Sequence, residues 1–143
     1  MAGQGQRPPM VVTHEGGLKF AAQIREHRVV TDQPVGIGEN AGPMPLELLG
    51  AALGTCVALY VHQFCQSRGV PDEGMRVEVQ TRGAQSPNRI GLFDVRVVLP
   101  QEVPAEYTEL LERVARSCPA HHTLVTGAEV AIRIESGAAA TAG

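Results

Sequence analysis

The sequence predicts an α+β fold in the order β-β-α-β-β-α-β, built around one long central helix. Three observations predict it. An apolar stretch between Pro45 and Arg68 is bounded by helix start and stop signals. Segments on either side of it alternate apolar and polar residues with a period of two. A second stripe, from Tyr107 to Cys118, recurs at helical spacing.

Taken in order, residues 1–15 read as a flexible N-terminus, 16–135 as a single domain and 136–143 as a disordered tail rich in Ala, Gly and Thr. Leu18, Phe20, Ala22 and Ile24 alternate with Lys19, Ala21, Gln23 and Arg25, and Arg28 to Thr31 follow after Glu26-His27, which predicts a hairpin. The stretch Asp32 to Met44 carries two prolines and three glycines and reads as a loop. Pro45 suits the first turn of a helix, and Gly69 followed by Val70-Pro71 ends it. At 1.5 Å per residue this helix is about 36 Å long. Gly50, Gly54 and Ala58 form a row of small residues along it, where another backbone can approach closely and offset the helix-weakening effect of glycine. A helix apolar on most sides must be covered on most sides, and a second subunit could supply part of the cover.

Met75 to Thr81 reads as a strand with Met75, Val77 and Val79 on one face. Ser86-Pro87-Asn88 marks a turn, and Ile90 to Leu99 is the next strand, with Phe93, Val95, Val97 and Leu99 inward. Pro104 opens the second helix, whose stripe is Tyr107, Leu110, Leu111, Val114, Ala115 and Cys118. Pro119 interrupts it, so Cys118 should cap a new short helix. Glu129 to Glu135 is the last strand, with Val130, Ile132 and Ile134 inward.

Composition narrows the function. The net charge is −3 and no basic run occurs, which argues against nucleic-acid partners. The start of the chain is polar and has no secretory stretch. The longest uncharged apolar run, Leu48 to Val61, is 14 residues, short of the ~20 of a bilayer span. It reads as a buried core helix with no membrane partner. Three cysteines without a leader suggest catalytic or redox-sensing thiols in the cytoplasm rather than a disulfide scaffold.

Cys56 and Cys65 both lie in the long helix, and each could be an inert core thiol. Nine residues of helix rotate about 900°, placing them on opposite faces and roughly 13.5 Å apart along the axis. A disulfide needs Cα atoms within about 7 Å. They cannot pair in an unbroken helix, so any redox pair must include Cys118. At a helix N-terminus Cys118 would meet free N–H groups and the positive end of the dipole, both of which favour thiolate. His121 and His122 share that first turn. Two other readings stand beside this one: Cys118 packs the end of the second helix, or it ligates a metal. The cluster is too tight for a usual four-ligand zinc set and has no accompanying C-x-x-C.

Two segments carry a resemblance to a known family. The run that opens with Gly42-Pro43-Met44-Pro45-Leu46-Glu47 and closes with Gly54-Thr55-Cys56 resembles the signature at the start of the long helix of OsmC-like proteins. That family comprises osmotically inducible protein C and the organic hydroperoxide resistance proteins. Cys118-Pro119-Ala120-His121-His122-Thr123-Leu124 resembles its second motif, and the likeness covers roughly residues 16–135. The resemblance implies an intertwined homodimer with the long helices at its centre and sites at the subunit interface. It implies peroxidase chemistry with no cofactor and no metal, Cys56 as the peroxidatic cysteine and Cys118 as the resolving one, joined in a disulfide during turnover. The substrate it implies is an organic hydroperoxide, and the reductant a dithiol such as a lipoyl-type one. Ala52, Leu53, Leu59 and Tyr60, around Cys56, are the candidate apolar lining for an alkyl chain.

The chain also departs from the pattern. The hydroperoxide-resistance branch has Glu directly after the motif's proline; here Leu46 holds that place and Glu47 follows. Nine residues before Cys56, Glu47 faces the opposite side of a regular helix. It could act from a partner subunit, or serve only as a first-turn acid. The family's peroxidases use an arginine from the N-terminal strands. Arg25 is the preferred candidate and Arg28 the other, each also readable as a solvated strand residue. A role for His27 stays open, and His62, about 120° round the helix from Cys56, is not placed as a base. The alternative function is a non-catalytic binding or sensing dimer with an apolar interface pocket; a general thiol–disulfide oxidoreductase is a third.

Overall fold

The computed structural model describes residues 5–137. Residues 1–4 and 138–143, the outer parts of the two expected flexible ends, lie outside the described residues. The elements are β1 (Val11–Gly16), β2 (Lys19–Ile24), β3 (His27–Thr31), α1 (Pro45–Arg68), β4 (Arg76–Ala84), β5 (Arg89–Val98), α2 (Ala105–Arg116) and α3 (Pro119–Thr126). The class is α+β, with one antiparallel sheet ordered β1-β2-β3 and a second formed by β4 and β5.

The long helix begins and ends where its signals stand. Pro45 is its first residue, and Gly69 closes it in the left-handed region at φ 65°, with the Val70 N–H reaching back to the Cys65 carbonyl. By length and composition α1 could cross a membrane, yet it has a packed face. Gly50, Leu53, Gly54, Val57, Val61 and Cys65 are buried, and α1 packs on β4, β5, α2 and α3. The glycine row serves β4: a Cβ on Gly54 would lie 2.9 Å from Val79 Cγ2. Phe64 of α1 meets Tyr107 of α2 edge-on, with ring centroids 6.0 Å apart.

Two expectations need correction. Residues 11–15 fall in the stretch read as flexible but, with Gly16, form β1, paired from Val11 opposite Gln23. All six are exposed, so no inward face marked them as a strand. The expected hairpin is present, with β2 antiparallel to β3; Ala21 is its buried residue, whereas Phe20 and the preceding Leu18 are 41 % and 46 % exposed, because the N-terminal sheet is not a principal neighbour of α1. Residues 129–135 form no strand in this chain. Val130, Ile132 and Ile134 alternate as read but are 77–92 % exposed.

The loop before α1 is held by a residue the sequence reading passed over. Asp32 is buried and accepts the backbone N–H groups of Gln33 (2.7 Å), Glu39 (3.1 Å) and Ala41 (3.0 Å). These bonds, that of Ala41 foremost, hold its carboxyl below the ordinary carboxylate range against the opposing effect of burial. The Asp32 N–H donates to the Pro43 carbonyl at 3.2 Å, so this one residue sets where the chain enters α1.

Candidate functional site

Cys56 lies at the edge of α1's packed face and is half-buried against the core. Cys118 caps α3 with an extended backbone (φ −68°, ψ 143°), and Pro119 takes the first helical position. Its sulfur accepts the His121 N–H at 3.2 Å. The residue is wholly buried. Cys56 packs against the same buried cluster and is the titratable neighbour of Cys118 on α1. All three cysteines are free thiols. The fold therefore brings together Cys56 and Cys118, from segments sixty-two residues apart in sequence.

The helix-terminus argument for a Cys118 thiolate is overturned. Burial pushes the thiol up; the His121 N–H opposes it, and Cys56 pushes up again. Desolvation outweighs the helix terminus because no water reaches the sulfur. Cys65 is also wholly buried and its thiol is pushed up, first by burial and then by Asp72.

The supporting residues are elsewhere within one chain. Arg25 sits in the β2–β3 turn at φ 54°, its guanidinium two-thirds exposed and 3.4 Å from Glu26. Arg28 pairs with Glu15 at 2.6 Å, and His27 lies 3.1 Å from Glu26. None of the three is brought to Cys56. Glu47 occupies the third position of α1 and accepts the Met44 N–H at 2.8 Å. That is the first-turn role, on the side of the helix away from Cys56. His62 bonds Asp72 at 2.6 Å, and Gln66 holds the other Asp72 oxygen at 3.2 Å, so His62 is committed to the end of α1.

An apolar groove of about 1300 Å³ runs between α1, β5 and α2, with Leu53, Val57, Val61, Phe93, Val95 and Leu111 in its walls. Of the four residues expected to line an alkyl site only Leu53 does so. Ala52 and Leu59 are exposed, and Tyr60 packs against the core. Among the described residues no three His, Cys, Asp or Glu side chains are grouped so as to hold a metal ion. His121 borders the groove, and its Nδ1 is buried without a hydrogen-bond partner among the described residues. The sequence marked His121 only as a neighbour of Cys118; its place three residues after a capping cysteine was the available signal.

The family model for OsmC-like protein matches residues 38–133, more than half of the chain. No curated protein matches it. Among solved structures, a candidate osmotic stress induced and detoxification response protein from Psychrobacter arcticus 273-4 is 22 % identical, with a TM-score of 0.75 over 86 % of this chain and 91 % of that one. An OsmC-like protein from Mycoplasma pneumoniae is 19 % identical, with a TM-score of 0.64 over 84 % and 88 %. An organic hydroperoxide resistance protein OsmC from Legionella pneumophila is 16 % identical, with a TM-score of 0.53 over 84 % and 91 %. At these identities the likenesses establish the shared fold.

Proposed function

This chain belongs to the OsmC-like protein family, and from that premise we propose that it is a thiol-dependent peroxidase reducing organic hydroperoxides to alcohols, without a cofactor, in defence against oxidative stress. The observation that carries the reading is the meeting of Cys56 and Cys118 in one buried site. The Cys56 thiolate attacks the distal oxygen of the hydroperoxide. The O–O bond breaks, the alcohol leaves with a proton, and Cys56 is left as a sulfenic acid. Cys118 then displaces the hydroxyl as water to form the Cys56–Cys118 disulfide. An external dithiol, lipoyl-type in our reading, restores both thiols. Such chemistry needs a reducing compartment, and we place it in the cytoplasm.

The working unit in this reading is an intertwined homodimer. The N-terminal sheet stands off α1, and residues 129–135 are unpaired, so each chain has surfaces that a second copy can cover. Arg25 and Glu47 would then act on Cys56 across the interface.

One equivalent of cumene hydroperoxide per chain, followed by a thiol count, tests the reading. Loss of two thiols from the wild type, and none from Cys56→Ser, supports it. No loss from the wild type favours the non-catalytic binding dimer, which the open apolar groove would suit. Hydrogen peroxide consumed as efficiently as cumene hydroperoxide would remove the organic preference.

A further inference from the structure

Resting on the homodimer of the peroxidase reading, we propose that Asp32 is a positioning residue for assembly: it locks the 32–43 loop, and the lock holds the N-terminal sheet out from α1 at one angle, preset for a second copy. The sheet has no principal partner in its own chain. β1 pairs with β2 and β2 with β3, and no principal contact joins any of them to α1, β4, β5, α2 or α3. The direction of the sheet is therefore set by the link from β3 to α1, residues 32–44.

By composition that link would be loose, with glycine at 36, 38 and 42. Asp32 closes it from inside. Its Oδ1 accepts the Gln33 N–H, and its Oδ2 accepts those of Glu39 and Ala41. Among the described residues every bond of this buried carboxylate goes to the backbone of the loop, so its effect is on the loop's shape. The Asp32 N–H ties the two ends together at the Pro43 carbonyl, and the Asn40 N–H donates to the Gln33 carbonyl at 2.9 Å. The packing is close: a Cβ on Gly38 would lie 2.5 Å from Asp32 Oδ1, and one on Gly42 would collide with the Val30 carbonyl of β3. Lys19 of β2 reaches Glu39 at 2.7 Å, so loop and sheet form one body. Only Met44 separates that body from α1, and its N–H is held by Glu47 at 2.8 Å.

This body is suited to meet another copy. Its charges are paired within it: Arg28 with Glu15, Lys19 with Glu39, and Arg25 with Glu26. Val11, Val12, Leu18 and Phe20 remain 41–61 % exposed. A sheet that swung freely on a glycine-rich link would lose that freedom each time it bound, which opposes association. A sheet already fixed by Asp32 loses little.

Analytical ultracentrifugation of the full-length protein over a range of concentrations gives the dimer dissociation constant, with circular dichroism of the same samples to show that the chains are folded. Asp32→Asn should raise that constant by at least about tenfold. A role confined to local stability would lower the melting temperature and leave the constant alone, so a folded Asp32→Asn protein with the wild-type constant overturns the proposal. Two insertions leave Asp32 in place. A Gly-Gly pair between Pro43 and Met44, outside the lock, should weaken the dimer as Asp32→Asn does. The same pair between Gly36 and Ile37, inside the lock, should not. Equal constants for the two insertions overturn the proposal even if Asp32→Asn does not fold. A wild type that stays monomeric removes the homodimer and the proposal with it. Failure of the peroxidase chemistry looks different: the dimer responds to these changes as stated, while no thiol is lost to cumene hydroperoxide.

Discussion

Gly50 and Gly54 lie one turn apart on α1 and face the same strand, yet they should answer oppositely to the same substitution. A Cβ on Gly50 would sit 3.7 Å from Val79 Cγ1, an ordinary contact, whereas on Gly54 it would sit 2.9 Å from Val79 Cγ2. Alanine in a helix gains up to about 1 kcal/mol over glycine; overpacking a core costs about 1–3 kcal/mol. Gly50→Ala should therefore raise stability by up to about 1 kcal/mol, and Gly54→Ala should lower it by up to about 2 kcal/mol once the helix gain is subtracted. Urea denaturation of the pair decides this, and equal shifts would remove the close approach of β4. Asp32 gives a pH signature. Its folded pKa is depressed, so its contribution is whole above the unfolded value of about 3.9 and is lost as pH falls through the folded one. The stability gap between wild type and Asp32→Asn should be constant from pH 7 to 5 and narrow below about pH 3.9. A gap that widens toward acid would contradict the depressed carboxyl.

Among the elements, those that carry their own end signals were legible. α1 runs from Pro45 to Arg68 as read, because proline opens it and glycine in the left-handed region closes it. Gly69→Ala puts a side chain at φ 65° and should lower the melting temperature, at a cost of about 1–2 kcal/mol; an unchanged melting curve would mean that the end of the helix frays. The α2 stripe and the capping of α3 by Cys118 were legible too, since helical spacing and a Cys-Pro step are local features. The strands were harder. β1 has no buried face to create a pattern, and residues 129–135 have the pattern but no partner, since a strand exists only where another edge accepts it. At the site, helix arithmetic separated Cys56 from Cys65 and left Cys118 as a necessary member of any pair, while Cys56 as its partner was what the resemblance implied. The thiol's burial and the orphaned His121 nitrogen did not, because they depend on how α3 docks on α1.

The whole molecule leaves more apolar surface open than one chain comfortably carries. Val130, Ile132 and Ile134 are 77–92 % exposed, the N-terminal sheet stands off α1, and the groove beside β5 is unfilled. If a second copy covers these surfaces, the mass in solution should be twice 15.2 kDa, and the melting temperature should rise with protein concentration. Ile132→Lys should shift the population toward monomer by placing a charge on an apolar segment that the second copy would cover. The same assembly decides how Arg25 works. Within one chain its guanidinium pairs with Glu26, away from Cys56, so any support it gives must cross the interface. Arg25→Ala and Cys56→Ser should then each lose peroxidase activity alone. Unfolded together and refolded as a mixture, they should recover about a quarter of the wild-type rate, because half the dimers are mixed and each mixed dimer has one site with both Cys56 and the partner's arginine intact. Recovery at that level requires exchange of whole chains and a shared site. A mixture as inactive as its components would place Arg25 outside the mechanism or within its own chain, whereas activity retained by Arg25→Ala alone would remove it from the site.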